Sequence, residues 1–252
     1  MYSPNLFSGK IALITGGGSG IGFEIANQFK NYGGFPIIVS RNEEKLFNAS
    51  KLLNCPYFVC DIRNDIQIKT MVEQLKGDNF QPDFLINNAG GQFPSLAEDI
   101  STNGWNAVIN TNLNGTFYLT KEVANTFFIP QKKGKIINII ANIYRGFPGM
   151  AHTGSARAGI DNLTKSLAVE WSKYQININA IAPGIIKSSG LDQYPPELLK
   201  NISDTIPLKR LGSTEEVAWL CLFLLSPMSN YITGETIYLD GGQKLWGQVF
   251  EL

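Results

Sequence analysis

Lys10-Ile11-Ala12-Leu13-Ile14-Thr15, followed at once by Gly16-Gly17-Gly18-Ser19-Gly20-Ile21-Gly22, leaves the chain few choices of fold. The first run reads as a short buried strand, and the helical pattern Phe23-Glu24-Ile25-Ala26-Asn27-Gln28-Phe29 follows the glycines. A strand, a glycine turn and a helix N-terminus in that order build an anion site. Glycines let the backbone come close to a pyrophosphate, and the unpaired N–H groups of the first helical turn hold it. A dinucleotide is therefore the expected ligand, with Gly16, Ser19, Gly20, Ile21 and Gly22 against its phosphates.

The rest of the first half repeats the alternation. Phe35-Pro36-Ile37-Ile38-Val39-Ser40 reads as a second strand and ends in Arg41, followed by a helix over Asn42 to Leu53. Related dinucleotide folds place an Asp or Glu at the end of this strand for the adenine ribose hydroxyls; an arginine suits a 2′-phosphate through charge-assisted hydrogen bonds. NADP(H) is thus expected in preference to NAD(H). The third strand, Tyr57-Phe58-Val59-Cys60, runs into Asp61-Ile62, suited to an adenine contact through side chain and backbone. The fourth, Phe84-Leu85-Ile86, ends in Asn87-Asn88-Ala89-Gly90, whose small residues let the chain pass beside the adenine ribose. A helix over Ile66 to Leu75 and a strand at Lys135-Ile136-Ile137-Asn138-Ile139-Ile140 continue the rhythm, which fixes an α/β class with one domain over residues 1–252. Ile185 to Pro207, rich in Ser and Pro with a short helical piece around Glu197 to Ile202, breaks the alternation and is expected to cover the substrate as a lid.

Composition removes whole classes of partner. Twenty-one basic and twenty-one acidic residues cancel, so bulk charge offers nothing to nucleic acid or an anionic membrane. Cys55, Cys60 and Cys221 have no metal-ligand spacing; free thiols fit a reducing compartment, and the cytoplasm is expected, with no metal. The first residues, Met1-Tyr2-Ser3-Pro4-Asn5, lack a basic and apolar leader pattern, and the last three, Phe250-Glu251-Leu252, are not a peroxisomal address.

Thr15-Gly16 through Gly22, Asn87-Asn88-Ala89-Gly90, Asn112 within Asn110-Thr111-Asn112-Leu113-Asn114-Gly115, Pro183-Gly184 and Leu239-Asp240-Gly241-Gly242 come in the order and spacing of one family. The chain resembles the short-chain dehydrogenases/reductases over nearly its whole length. The resemblance implies a Rossmann-like, doubly wound, parallel sheet of seven strands, usually in a homotetramer, with Pro183, Gly184 and Ile186 at the nicotinamide end of the cofactor. It also exposes a departure. The helix Ser155 to Trp171 aligns without gaps to the family's active-site helix, which puts Arg157 at the usual Lys, Thr153 at the usual Tyr and Ile140 near the usual Ser. Of that set only Asn112 survives, as a holder of water or helix backbone. A threonine hydroxyl cannot be tuned to give up a proton near neutrality as the tyrosine is, and an arginine holds a ribose and offsets negative charge without relaying protons. Asp161 and Lys165 mimic a displaced pair one turn on, but a four-residue step moves a group about 6 Å along the helix, so they read as an i,i+4 ion pair.

A narrower likeness accounts for the losses. Gly91-Gln92-Phe93, Gly104-Trp105-Asn106-Ala107-Val108, Asn114-Gly115-Thr116-Phe117-Tyr118 and His152-Thr153-Gly154-Ser155-Ala156-Arg157-Ala158-Gly159 resemble the peroxisomal type of trans-2-enoyl-CoA reductase and, more distantly, the 2,4-dienoyl-CoA reductases. That resemblance implies NADPH-dependent reduction of a carbon–carbon double bond in an acyl thioester, with Asn112, Tyr144 and Arg157 as the catalytic set. Tyr144 and His152 are the available proton donors: Tyr144 sits in the loop after the fifth strand, and His152, the only histidine, more naturally supports the helix start. Two other activities fit the same residues: a carbonyl reductase of 3-oxoacyl substrates using Tyr144, and an inactive NADP-binding regulatory protein.

Overall fold

The computed structural model describes residues 3–194 and 200–245. Seven strands form one parallel sheet: β1 (Ile11–Thr15), β2 (Phe35–Ser40), β3 (Tyr57–Val59), β4 (Phe84–Asn87), β5 (Gly134–Ile139), β6 (Ile176–Pro183) and, past a separate β7 (Ile186–Lys187) and β8 (Gly212–Ser213), β9 (Thr236–Leu239). Their order is β3-β2-β1-β4-β5-β6-β9, so the winding reverses between β1 and β4. In such sheets the crevice outside the carboxyl ends of the strands at that reversal is where ligands bind.

Alternation along each strand feeds two cores. Ala12 and Ile14 of β1 and Ile38 of β2 pack against α1 (Gly20–Asn31), α2 (Glu43–Leu53) and α8 (Thr214–Leu225), through Ile25, Phe29, Leu46 and Leu222. Leu13, Ile37 and Val39 point the other way, onto α3 (Asp65–Gly77), α5 (Gly115–Val123) and α7 (Ala151–Glu170), through Val72, Leu119, Val123 and Leu167. A fully buried Leu or Ile contributes about 1.5–3 kcal/mol, and a sheet covered on both faces makes near-continuous apolar strands the favourable sequence. The helix α4 (Thr102–Ile109) leads into α5 through one π-helical turn at Asn110–Asn114, and α6 (Ile129–Gln131) is a single turn before β5.

The α/β class and the seven-stranded parallel sheet expected from the sequence are what the chain forms. One boundary differs usefully. The active-site helix begins at Ala151, so His152 and Thr153 lie in its first turn, where the sequence pattern places the start at Ser155. β7 and β8 pair in parallel and frame the segment between them, in which Ser189–Gln193 and Ile202–Thr205 are short 3-10 turns; Glu197 to Leu199 of the expected helical piece lie outside the described residues. Among the described residues no helix is long and apolar enough to cross a membrane.

Candidate active site

The reversal between β1 and β4 opens into a cleft of about 710 Å³. One wall is the glycine turn. Gly16 has φ of +66°, a conformation that L side chains rarely adopt, and an added Cβ would stand 2.7 Å from Asn88 Nδ2. Behind it, Gly22 packs as closely on Asn88. Among the described residues four of the eight α-helices close their N-termini with a side chain: Asn42 for α2, Asn64 for α3, Ser101 for α4, Ser213 for α8. At α1 the N-cap is Ser19, and its hydroxyl makes no capping bond. The first-turn N–H groups at Gly20, Ile21 and Gly22 are thus left for an anion in the cleft.

The opposite wall is the loop after β4. Thr15 Oγ1 accepts the backbone N–H groups of Asn88 at 3.0 Å and Ala89 at 2.9 Å, which fixes that loop against β1. Asn112 fixes its continuation: buried in the π-turn, it accepts the Gly91 N–H at 3.1 Å and donates to the Gly91 carbonyl at 2.6 Å and to the Val108 carbonyl at 3.0 Å. Its amide is used in holding backbone.

Arg157 closes the floor. Its Nη1 donates to the Ile139 carbonyl at 3.0 Å, while its Nε is enclosed with no partner among the described residues. An added Cβ on Gly90 would lie 2.2 Å from Nη2, so the guanidinium fits only because residue 90 is glycine. Enclosure pulls the Arg157 pKa down to about 10, still well above neutrality, so the group stays cationic in the cleft. A buried guanidinium with an unpartnered Nε is a candidate site for a polar ligand.

At the far end a second hollow of about 580 Å³ shares Gly16, Arg41, Lys45 and Asp61 with the cleft. Three cations stand around it, Arg41, Lys45 and Arg63. Both oxygens of Asp61 are taken by Arg63, at 2.9 and 3.0 Å from its Nε and closer still from Nη2; that bond foremost holds the Asp61 carboxyl below its usual range. Asp61 thus lines the cleft with Arg63 bonded to its carboxylate, and Ile62 beside it lines the cleft as well.

Gly16, Ser19, Gly20, Ile21, Arg41, Asp61, Ile62, the stretch Asn88 to Gly90 and Arg157 all face one space, as a dinucleotide site requires. Pro183, Gly184 and Ile186 do not line it. Gly184 is packed onto Asp240, and Ile186 faces a smaller cavity of about 250 Å³ with Ile206, Leu208 and Tyr238. Their place at the cleft mouth is taken by Ser188, Ser189 and Gly190, and Ser189 Oγ would be 3.6 Å from a Cβ on Gly20 across the opening. Tyr144 is also outside. It is 62% exposed, with its ring edge-on to Tyr238 at 5.9 Å.

Thr153 and Ile140 are buried. His152, also buried, accepts the Thr153 N–H on Nδ1 at 2.8 Å, which puts its own proton on Nε2; that atom has no partner and the ring stands against Phe93 at 4.5 Å. Asp161 and Lys165 form the expected ion pair at 2.6 Å, and Asp161 also accepts from Thr236 Oγ1 at 2.6 Å, tying α7 to β9. Two residues of the cleft region carry contacts that motif reading passes over. Gln92 donates to the hydroxyl of Tyr194, whose oxygen also lies 3.9 Å from Met150 Sδ.

A parallel sheet with reversed winding, a glycine turn feeding an uncapped helix and a cationic hollow beyond it define a dinucleotide-binding α/β oxidoreductase fold. The chain belongs to the short-chain dehydrogenase/reductase family: the family model described as Enoyl-(Acyl carrier protein) reductase matches residues 16–244. It is 39% identical to a probable 2,4-dienoyl-CoA reductase [(2E)-enoyl-CoA-producing] of Bacillus subtilis (strain 168), covering 94% of this chain and 97% of that protein. It is 38% identical to a peroxisomal 2,4-dienoyl-CoA reductase [(3E)-enoyl-CoA-producing] of Danio rerio, over 97% and 85% of the two chains. A 3-oxoacyl-[acyl-carrier-protein] reductase of Buchnera aphidicola is 36% identical, over 94% and 98%. Among solved structures, a citronellol catabolism dehydrogenase (AtuB) of Pseudomonas aeruginosa PAO1 superposes with a TM-score of 0.87 at 36% identity, over 97% and 98%.

Proposed function

We propose that the protein reduces a carbon–carbon double bond conjugated to a thioester, using NADPH, with a 2-enoyl-CoA or 2,4-dienoyl-CoA as substrate. The observation that carries this is the pairing at the floor of the cleft: an enclosed cation, Arg157, with a buried Thr153 where alcohol chemistry needs a phenol. The names of the relatives from Bacillus subtilis and Danio rerio support the same reaction.

The glycine turn and the open N-terminus of α1 would hold the pyrophosphate, and Arg41 with Lys45 the 2′-phosphate; Arg63, neutralised by Asp61, acts as the wall behind it. The spare donor of Arg157 fits the nicotinamide ribose. Bound there, the reduced nicotinamide supplies a hydride. Delivery to carbon leaves negative charge on the thioester oxygen, and a fixed cation in an enclosed floor offsets such charge without having to give up a proton. A hydroxyl-to-carbonyl reaction instead needs a proton handed to the reacting oxygen, for which Thr153 is unsuited. The segment 185–207 serves as the lid, its Ser188 to Gly190 already across the cleft mouth. The enzyme is proposed to work as a homotetramer in the cytoplasm, a reducing compartment that suits three free thiols.

The test is NADPH oxidation by the purified protein with crotonyl-CoA, longer 2-enoyl-CoAs, a 2,4-dienoyl-CoA and acetoacetyl-CoA, side by side. Turnover with an enoyl or dienoyl thioester supports the proposal. Turnover with acetoacetyl-CoA alone would make the protein a 3-oxoacyl reductase, and NADPH binding with no turnover would make it a binding protein.

A further inference from the structure

Tyr194 lies in the segment between β7 and β8, and its hydroxyl joins that segment to Gln92, in the loop after β4. Gln92 lines the cofactor cleft with Gly90 and Arg157. It is also held in place, because the preceding residue, Gly91, is bonded through both its N–H and its carbonyl to Asn112. The Gln92 amide donates to the Tyr194 oxygen, which commits the tyrosine's own proton to point elsewhere. What it meets is Met150 Sδ at 3.9 Å, a weak acceptor. Met150 is the residue just before α7, three positions ahead of Thr153 and seven ahead of Arg157. A phenol polarised by one donor, with its proton on a thioether beside the active-site helix, is a donor waiting for a better acceptor.

We propose that Tyr194 is a catalytic residue that donates a hydrogen bond to the substrate's thioester oxygen; this rests on the reduction of an acyl thioester proposed above. A bound reduced nicotinamide would supply hydride, forming the new C–H bond at the β carbon of a 2-enoyl or the δ carbon of a 2,4-dienoyl substrate, and the electrons of the conjugated double bonds would move to the thioester oxygen. Tyr194 O–H and the Arg157 charge stabilise that oxygen. Water then gives the α carbon its proton and the carbonyl re-forms, so Tyr194 ends as it began. The tyrosine thereby comes from the stretch that follows β7, and the Gln92 bond is what aligns its hydroxyl. Neither tyrosine lines the cleft itself, but Tyr194 is bonded to a residue that does, Gln92, whereas Tyr144 is exposed.

The experiment compares wild type, Tyr194→Phe and Gln92→Leu in NADPH affinity, kcat and KM with the best thioester substrate. It adds calorimetric binding of hexanoyl-CoA to each protein in the presence of NADP⁺. Tyr194→Phe is expected to bind NADPH as wild type does and to lose roughly 10²–10³-fold in kcat, the scale for one lost oxyanion donor. Gln92→Leu, which keeps the phenol but not its alignment, is expected to lose about tenfold. A KM increase with kcat preserved would reduce Tyr194 to lid packing and overturn the proposal, and an equal or larger kcat loss in Tyr144→Phe would transfer the role. If wild type reduces no thioester, the functional reading fails by itself; hexanoyl-CoA binding about fivefold weaker in Tyr194→Phe would still support the contact, and unchanged binding would overturn it.

Discussion

Arg41→Asp should reverse the cofactor preference, and the structure sets the size of the change. Of the three cations around the hollow beyond the cleft, Arg63 is spent on Asp61, which leaves Arg41 and Lys45 to meet a 2′-phosphate. A hydrogen bond to a charged group contributes about 1.5–3 kcal/mol, and Arg41 is exposed, so the lower half of that range applies. The incoming carboxylate adds repulsion of about 1 kcal/mol at 4 Å in water. Together these amount to about 2.5–3 kcal/mol, or a loss of roughly 70–150-fold in NADPH affinity. NADH, with a ribose hydroxyl that the carboxylate can accept from, should hold or gain. Lys45 remains, so the loss stops short of abolition. Nucleotide fluorescence titration at two salt concentrations gives both dissociation constants, and the NADPH advantage of wild type should shrink at the higher salt. Equal losses for the two cofactors, or none, would remove Arg41 from the phosphate site.

Restoring the family residues with Thr153→Tyr and Arg157→Lys should not raise enoyl reduction, and kinetics with crotonyl-CoA and acetoacetyl-CoA would expose any switch towards carbonyl reduction; a large enoyl gain would contradict the account. The same variant should melt earlier, since Thr153 is enclosed beside His152 and a larger ring there forces rearrangement worth about 1–3 kcal/mol. Lys135→Met should destabilise by about 1–3 kcal/mol in denaturant titration, because Lys135 Nζ donates to the carbonyls of Leu224 and Ser226 and to Ser229 Oγ, and the variant removes these charge-assisted bonds, leaving the carbonyls to the weaker neutral donors of Ser229. Burial pulls the Lys135 pKa down to about 8, below its value in the unfolded chain. The unfolded state thus binds more protons between about pH 8 and 10.4, and wild type should gain stability relative to Lys135→Met as pH rises through that window. A flat or falling difference would contradict the assignment.

The sheet, the glycine turn and the cation at Arg41 are legible in the sequence because each depends on local pattern: apolar runs of strand length, glycines where backbone must turn, a charge at a strand end. What local pattern misses depends on contacts made far along the chain. Tyr194 meets Gln92 across 102 positions, and nothing near either residue signals the other. The π-turn at Asn110–Asn114 is one extra residue inside a helical pattern and leaves the apolar period almost untouched. Lys135 stands at the start of a strand pattern, and nothing near it signals that Leu224, Ser226 and Ser229, some ninety positions on, accept from its Nζ. The Arg63 bond to Asp61 is likewise not signalled in the sequence, where Arg63 looks like an ordinary surface arginine. Tyr144 belongs to the right loop by sequence, but its ring stands exposed against Tyr238, a partner 94 positions on that local pattern does not signal.

The central claim is that hydride goes to carbon and not to a carbonyl. It is tested by giving the enzyme NADPH deuterated at the transferred position together with equal amounts of crotonyl-CoA and acetoacetyl-CoA, and reading the products by mass spectrometry and NMR. The account predicts butyryl-CoA with deuterium on its β carbon and little labelled 3-hydroxybutyryl-CoA. Deuterium appearing chiefly on the hydroxyl-bearing carbon of 3-hydroxybutyryl-CoA would contradict it.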